Sequence, residues 1–154
     1  MKATYLYNFA RFVGWPATAA AAKKDSFAIC VLGQDPFGPV LDTIVAGETI
    51  GGKAVLAKRI SKPQDALGCR VLYISSSEEN RLREVLAALD KSGVLTVSDI
   101  SQFSQQGGMI QFVLDGDRIR FEVNLSTAEA AGLSLSSELL KVATTVRRNP
   151  QPGD

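Results

Sequence analysis

GCRVLYISSSEENRLREVLAALDKSGVLTVSD, residues 68–99, reads as a strand, a helix and a second strand. Residues 68–75 form a strongly apolar run. Ser77 stands where a helix N-cap is expected, because its hydroxyl can accept from an otherwise orphaned backbone N–H. Glu78, Glu79 and Glu84 suit the positive end of that helix. Leu82, Val85, Leu86 and Leu89 fall on one stripe of it, and VLTVSD (94–99) is a short buried strand. Strands this apolar are covered on both faces, so the unit predicts a mainly parallel sheet with helices on either side.

The same alternation extends outward. Upstream lie a strand at FAICVLG (27–33), a short helix within DPFGPVLDTIVAG (35–47) and a strand at GKAVLAKRI (52–60). Downstream, SQFSQQGG (101–108) reads as one helical turn ended by Gly107 and Gly108. MIQFVLDGDRIRFEVNL (109–125) holds two alternating runs around Asp115-Gly116-Asp117, the pattern of an antiparallel hairpin. Two helices are expected near 126–132 and 136–147. The fold class is therefore α/β. It consists of one domain over residues 1–148, with a single mainly parallel sheet, helices on both faces, a C-terminal antiparallel hairpin and a disordered tail at 149–154.

KATYLYNFARFVGWP (2–16) predicts an opening helix, with Leu6, Phe9, Ala10 and Val13 on one side and Tyr5, Phe12 and Trp15 on the other. A helix apolar nearly all round is buried, or is used in a homodimer. Asn8, Arg11 and Pro16 interrupt the run, and it falls short of the ~18 apolar residues a membrane span needs. Arg11 sits where the apolar core of a signal peptide would be. The segment reads as the first helix of a mature domain from which any export signal has been removed.

The 154 residues carry 17 basic and 16 acidic side chains, a net charge of +1. That balance argues against nucleic acid as a partner and gives little attraction to an anionic membrane. There is no histidine, which excludes Ser–His–Asp and Cys–His chemistry and removes the commonest metal ligand. No catalytic residue, cofactor or metal is expected. GETIGGKA (47–54) approaches a phosphate loop, but Ala54 replaces the required hydroxyl and the flanking elements come in the wrong order, so a plain turn is expected. Cys30 and Cys69 form no CxxC. They read either as two buried thiols or as one disulfide in an oxidising compartment.

Two groups of residues are candidates for binding. Ser98 and Asp99 end a strand, and with Gly33 and Ser75 they would border the crevice where open α/β sheets take ligands; the competing reading of Ser98 and Asp99 is a helix cap. Arg120, Glu122 and Asn124 alternate along the last strand of the hairpin and share one face. That face is either a partner-recognition strip with Glu122 as its pivotal charge, or a solvated edge.

Taken in order, KATYLYNFARFVGWP, ICVLGQDPFG, the GC before VLYIS, LTVSDISQFSQQGGMIQFVLDGDRIRFEVNL and AGLSLSSELLKVA resemble the YfiR-like family over almost the whole chain. The resemblance implies a periplasmic protein that binds the periplasmic sensor domain of a membrane diguanylate cyclase, or of a related sensor kinase, and holds cyclic di-GMP synthesis down. It also implies that an outer-membrane lipoprotein can sequester the protein. Within it, Cys30 and Cys69 match a cysteine pair able to form a disulfide, and Glu122 matches a position associated with control of the cyclase, with Asn124 beside it. Some members carry a second cysteine pair near the GGMI segment; here Ser104 and Gln111 occupy that region. The alternative function is a small-ligand sensor feeding a sensor kinase.

Overall fold

A computed structural model describes residues 2–17, 24–90 and 92–147; the tail expected to be disordered lies outside them. The chain opens with helix α1 (Lys2–Phe12), the short strand β1 (Val13–Gly14), strand β2 (Ser26–Leu32) and helix α2 (Pro39–Val45). Strands β3 (Thr49–Ile50), β4 (Lys53–Ile60) and β5 (Val71–Ile74) follow, then helix α3 (Leu82–Ala88), β6 (Leu95–Ser98), β7 (Ile110–Asp115) and β8 (Arg118–Asn124). Helix α4 (Leu125–Ala130), β9 (Ser134–Leu135), helix α5 (Ser137–Val142) and β10 (Thr145–Arg147) complete the described chain. Short 3-10 turns at Pro63–Gly68, Ser76–Arg81 and Phe103–Gln106 link the strands.

Eight of these strands form one sheet in the order β10-β8-β7-β6-β5-β2-β4-β3, while β1 and β9 pair separately. The sheet is mixed, which corrects the expectation of a mainly parallel one. β7 and β8 run antiparallel, with Gln111 opposite Glu122, and so do β3 and β4. The remaining neighbours are parallel. β3 arises because Gly51 and Gly52 both take positive φ, +61° and +80°, which closes a two-residue hairpin turn. GETIGGKA is therefore a hairpin and not a phosphate loop. At the other edge, the C-terminal part of the helix expected over 136–147 is a strand. The helix ends at Val142, Thr144 N–H donates to Phe121 O at 2.8 Å, and the β-branched Thr145-Val146 pair joins β8 in parallel.

Period-two alternation divides the strands between two cores. Phe27, Ile29, Val31, Val71, Tyr73, Leu95 and Val97 face the layer made by α1, α2, α4 and α5. Ala28, Cys30, Leu32, Leu72 and Ile74 face the other layer, packed by Leu82, Val85, Leu89 and Phe103. Cys30 and Cys69 are bonded as a disulfide, Cα atoms 6.1 Å apart, inside this second core. α1 lays Leu6, Phe9 and Ala10 on the sheet. It stops at Phe12 rather than at Pro16, because Val13 and Gly14 leave it to pair with Leu135 and Ser134.

Two turn residues behave differently from expectation or depend on tight space. Ser75, not Ser77, caps the Ser76–Arg81 turn, its Oγ accepting from Ser77 N–H at 3.3 Å. Gly108 has no room for a side chain: a Cβ there would lie 2.2 Å from the ring of buried Phe103. Gly108→Ala is expected to cost about 1–3 kcal/mol, the usual penalty for overpacking, read by urea unfolding. An unchanged midpoint would mean that Phe103 does not hold this position.

Candidate functional site

The last long strand places Arg120, Glu122 and Asn124 on the face opposite Phe121 and Val123, as the alternation requires. That strand is interior to the sheet, flanked by β7 and β10, and not its edge. Glu122 is half-buried. Its Oε1 accepts from Ser104 Oγ at 3.1 Å, and the Arg147 guanidinium of β10 lies 3.5 Å away. The edge strand thus brings a cation to the one carboxylate of the strip. The sequence reading missed Arg147, because the turn from α5 into β10 has no local signature beyond a few β-branched residues.

Asn124 is fully buried. Its Nδ2 donates to Ser104 O at 2.7 Å and its Oδ1 accepts from Thr127 N–H, capping α4. Asn124 thus shares the face of Arg120 and Glu122 but is buried, with both its polar groups hydrogen-bonded within the protein. Asn124→Ala is expected to cost about 2–3 kcal/mol, combining a lost helix cap with an unsatisfied buried carbonyl. Asn124→Asp keeps the cap acceptor but sets a buried carboxylate oxygen against Ser104 O in place of the donating Nδ2, so it should cost at least as much as Ala, and chemical denaturation of the pair checks the order. Arg120 is held by Asp115, Nε to Oδ2 2.9 Å, and borders an open cleft of about 390 Å³ with Tyr5, Arg118 and Val142.

Ser104 and Gln111 are buried together beneath this strip, and Gln111 Oε1 accepts from Ser104 N–H at 3.0 Å.

Of the strand-end group, Ser98 and Ser75 are buried and Gly33 is closely covered. Leu32, Ile74 and Ser98 align across β2, β5 and β6, so Gly33, Ser75 and Ser98 do come together. Yet Ser98 is buried, its hydroxyl donating to Ile74 O at 2.6 Å and accepting from Ile100 N–H at 3.0 Å. Gly33 is roofed by Ser77 and Glu78. Asp99 stands apart, bridged to Lys2 Nζ at 2.8 Å. Burial first, and then the charge of Asp99 and a hydrogen bond to it, push the Tyr73 phenol well above its ordinary range.

Two solved structures share the fold. One is a conserved domain protein from Vibrio cholerae, 12% identical with a TM-score of 0.61, matched over 78% of this chain and 54% of its own. The other is an ABC domain from Streptococcus pneumonia in complex with L-Trp, 12% identical with a TM-score of 0.57, matched over 79% of this chain and 55% of its own. The chain spans about half the length of either. A family model described as YfiR/HmsC-like matches residues 1–144, and the chain belongs to that family.

Proposed function

We propose that this protein is a periplasmic regulator that binds the sensor domain of a membrane diguanylate cyclase, or of a related membrane signalling receptor, and lowers cyclic di-GMP synthesis. The observation that carries the reading is the family match over residues 1–144. The Cys30–Cys69 disulfide suits an oxidising compartment, and no helix among the described residues is long and apolar enough to cross a membrane.

Arg120 and Glu122 are the members of the strip that a partner can reach, with Arg147 completing the charge pattern. A partner of ordinary size would cover about 1,200–2,000 Å² in total and extend well beyond them. An outer-membrane lipoprotein would act by competing for the free protein. The test is capture from detergent-solubilised membranes on immobilised protein. A receptor with a cyclase or kinase output domain should be retained by wild type and weakened several-fold by Glu122→Lys. Equal retention by the variant removes the strip from the account, and no such receptor on either column removes the partner.

The second reading is a periplasmic small-ligand sensor. It draws on the L-Trp bound to one protein of the same fold. An unfolding-temperature screen with amino acids and vitamins tests it, since a ligand at a hundredfold excess over Kd stabilises by about 2.7 kcal/mol. A flat screen sets this reading aside.

A further inference from the structure

The sheet ends on one side with β3, which is too short to cover its neighbour. Its two residues pair with Lys53 and Ala54 of β4, while β4 runs on to Ile60. Backbone groups along a strand point to alternate sides. Val55 N–H points towards β3 and donates to Glu48 O at 2.9 Å. Ala57 and Arg59, two and four positions on, turn their N–H and C=O the same way. Among the described residues no strand or backbone hydrogen bond meets them there. β4 therefore carries an open edge over residues 56–60, the kind of surface that accepts a strand from another chain.

The side chains on that edge decide which strand fits. Leu56, Lys58 and Ile60 share the face of the second core, since their register partners Ala28, Cys30 and Leu32 lie in it. Leu56 is 41% exposed, and Leu67, in the Pro63–Gly68 turn, is 38% exposed. Lys58 lines an open cleft of about 370 Å³ with Leu67, Lys24 and Asp65. Neither lysine forms an ion pair with a described residue. Two lysines against one carboxylate leave the cleft positive, and an acidic side chain complements it. Arg59 adds nothing to this charge. It points to the other face, where it is paired with Asp35 and Asp42 at 3.0 and 2.9 Å. A second copy of this chain fits poorly: antiparallel self-pairing about the middle of the stretch sets Lys58 against Lys58, and like charges directly opposite are destabilising. The lysine thus guards the edge against self-association and admits an acid.

We propose that the open edge of β4 takes up an extended segment of a partner protein as a further strand, with an apolar side chain against Leu56 and, two positions away, an acidic one against Lys58. This edge lies across the sheet from the strip of Arg120 and Glu122, and the proposal does not rest on the receptor reading. The test uses two fluorescent nonapeptides that alternate valine with threonine, one with glutamate at the centre of the valine face and one with lysine there. Fluorescence anisotropy should show saturable binding of the glutamate peptide, with the lysine peptide several-fold weaker. Lys58 is exposed; Lys58→Glu should reverse that order and Lys58→Gln should abolish the preference, whereas Lys141→Glu, on α5, should leave it as in wild type. In amide hydrogen exchange, the glutamate peptide should slow exchange at Ala57 and Arg59. No saturable binding of either peptide up to about 1 mM, already a weak affinity, overturns the proposal. So does a preference that Lys58→Glu leaves unchanged, or exchange at Ala57 and Arg59 that the bound peptide does not slow. Protection of the same two amides that grows with protein concentration alone assigns the edge to a second copy and equally overturns it.

Discussion

Replacing both Cys30 and Cys69 with Ala is expected to lower stability by about 4 kcal/mol, the chain-entropy value for a closed loop of this length. For a domain of this size that corresponds to a fall in Tm of about 10 °C. The bond spans 39 positions, so it removes a large number of unfolded conformations. Both cysteines are buried in the core that packs the second face of the sheet, Cys30 from β2 and Cys69 just after the Pro63–Gly68 turn. The bond therefore ties that turn to the centre of the sheet. Thermal unfolding of the variant and of the wild type with and without reductant checks this. A loss in the variant that reductant does not reproduce would assign the effect to lost side-chain packing and not to the bond.

Phe9→Ala is expected to cost about 3–5 kcal/mol, the range for emptying a buried aromatic site. Phe9 is 1% exposed, and its ring meets those of Tyr5, Phe112 and Phe121 at 6.1, 5.8 and 5.0 Å. This cluster is what fastens α1 to β7 and β8, beneath the strip that carries Arg120 and Glu122. Phe12, on the same helix, is 38% exposed, and Phe12→Ala should change stability by only about 0.5 kcal/mol, as surface substitutions do. Urea unfolding of the two variants is the comparison. Equal costs would mean that α1 does not dock through its Leu6–Phe9–Ala10 side.

The legibility of this fold in its sequence follows the physics of each element. Long apolar strands such as 27–32 and 71–74 announce themselves, because both faces are buried and few other structures tolerate such runs. The helix over 82–88 is equally plain from its stripe. The two-residue strands β1, β3 and β9 carry too few residues to show a period, and their pairing depends on partners distant in the chain. β10 was hidden for a related reason. α5 and β10 are separated by two residues, and only the open side of β8 decides that Thr145–Arg147 extends.

The candidate site divides in the same way. Which residues of β8 share a face is a local property, so Arg120, Glu122 and Asn124 were grouped correctly by alternation alone. Whether each is reachable is not local. Asn124 is withdrawn by Ser104 O and Thr127 N–H, and Glu122 gains Arg147 from a strand added later in the chain. At the strand ends, rules about open sheets do not foresee that Ser77 and Glu78, in the turn after β5, lie over Gly33 at the end of β2, or that Ser98 is buried.

The central claim is that this domain acts by restraining a membrane signalling protein. The most direct measurement is the cellular cyclic di-GMP level in a strain lacking the gene, with and without the wild-type gene restored. The account predicts a rise on deletion and a return to the starting level on complementation. A level that does not change on deletion would contradict it.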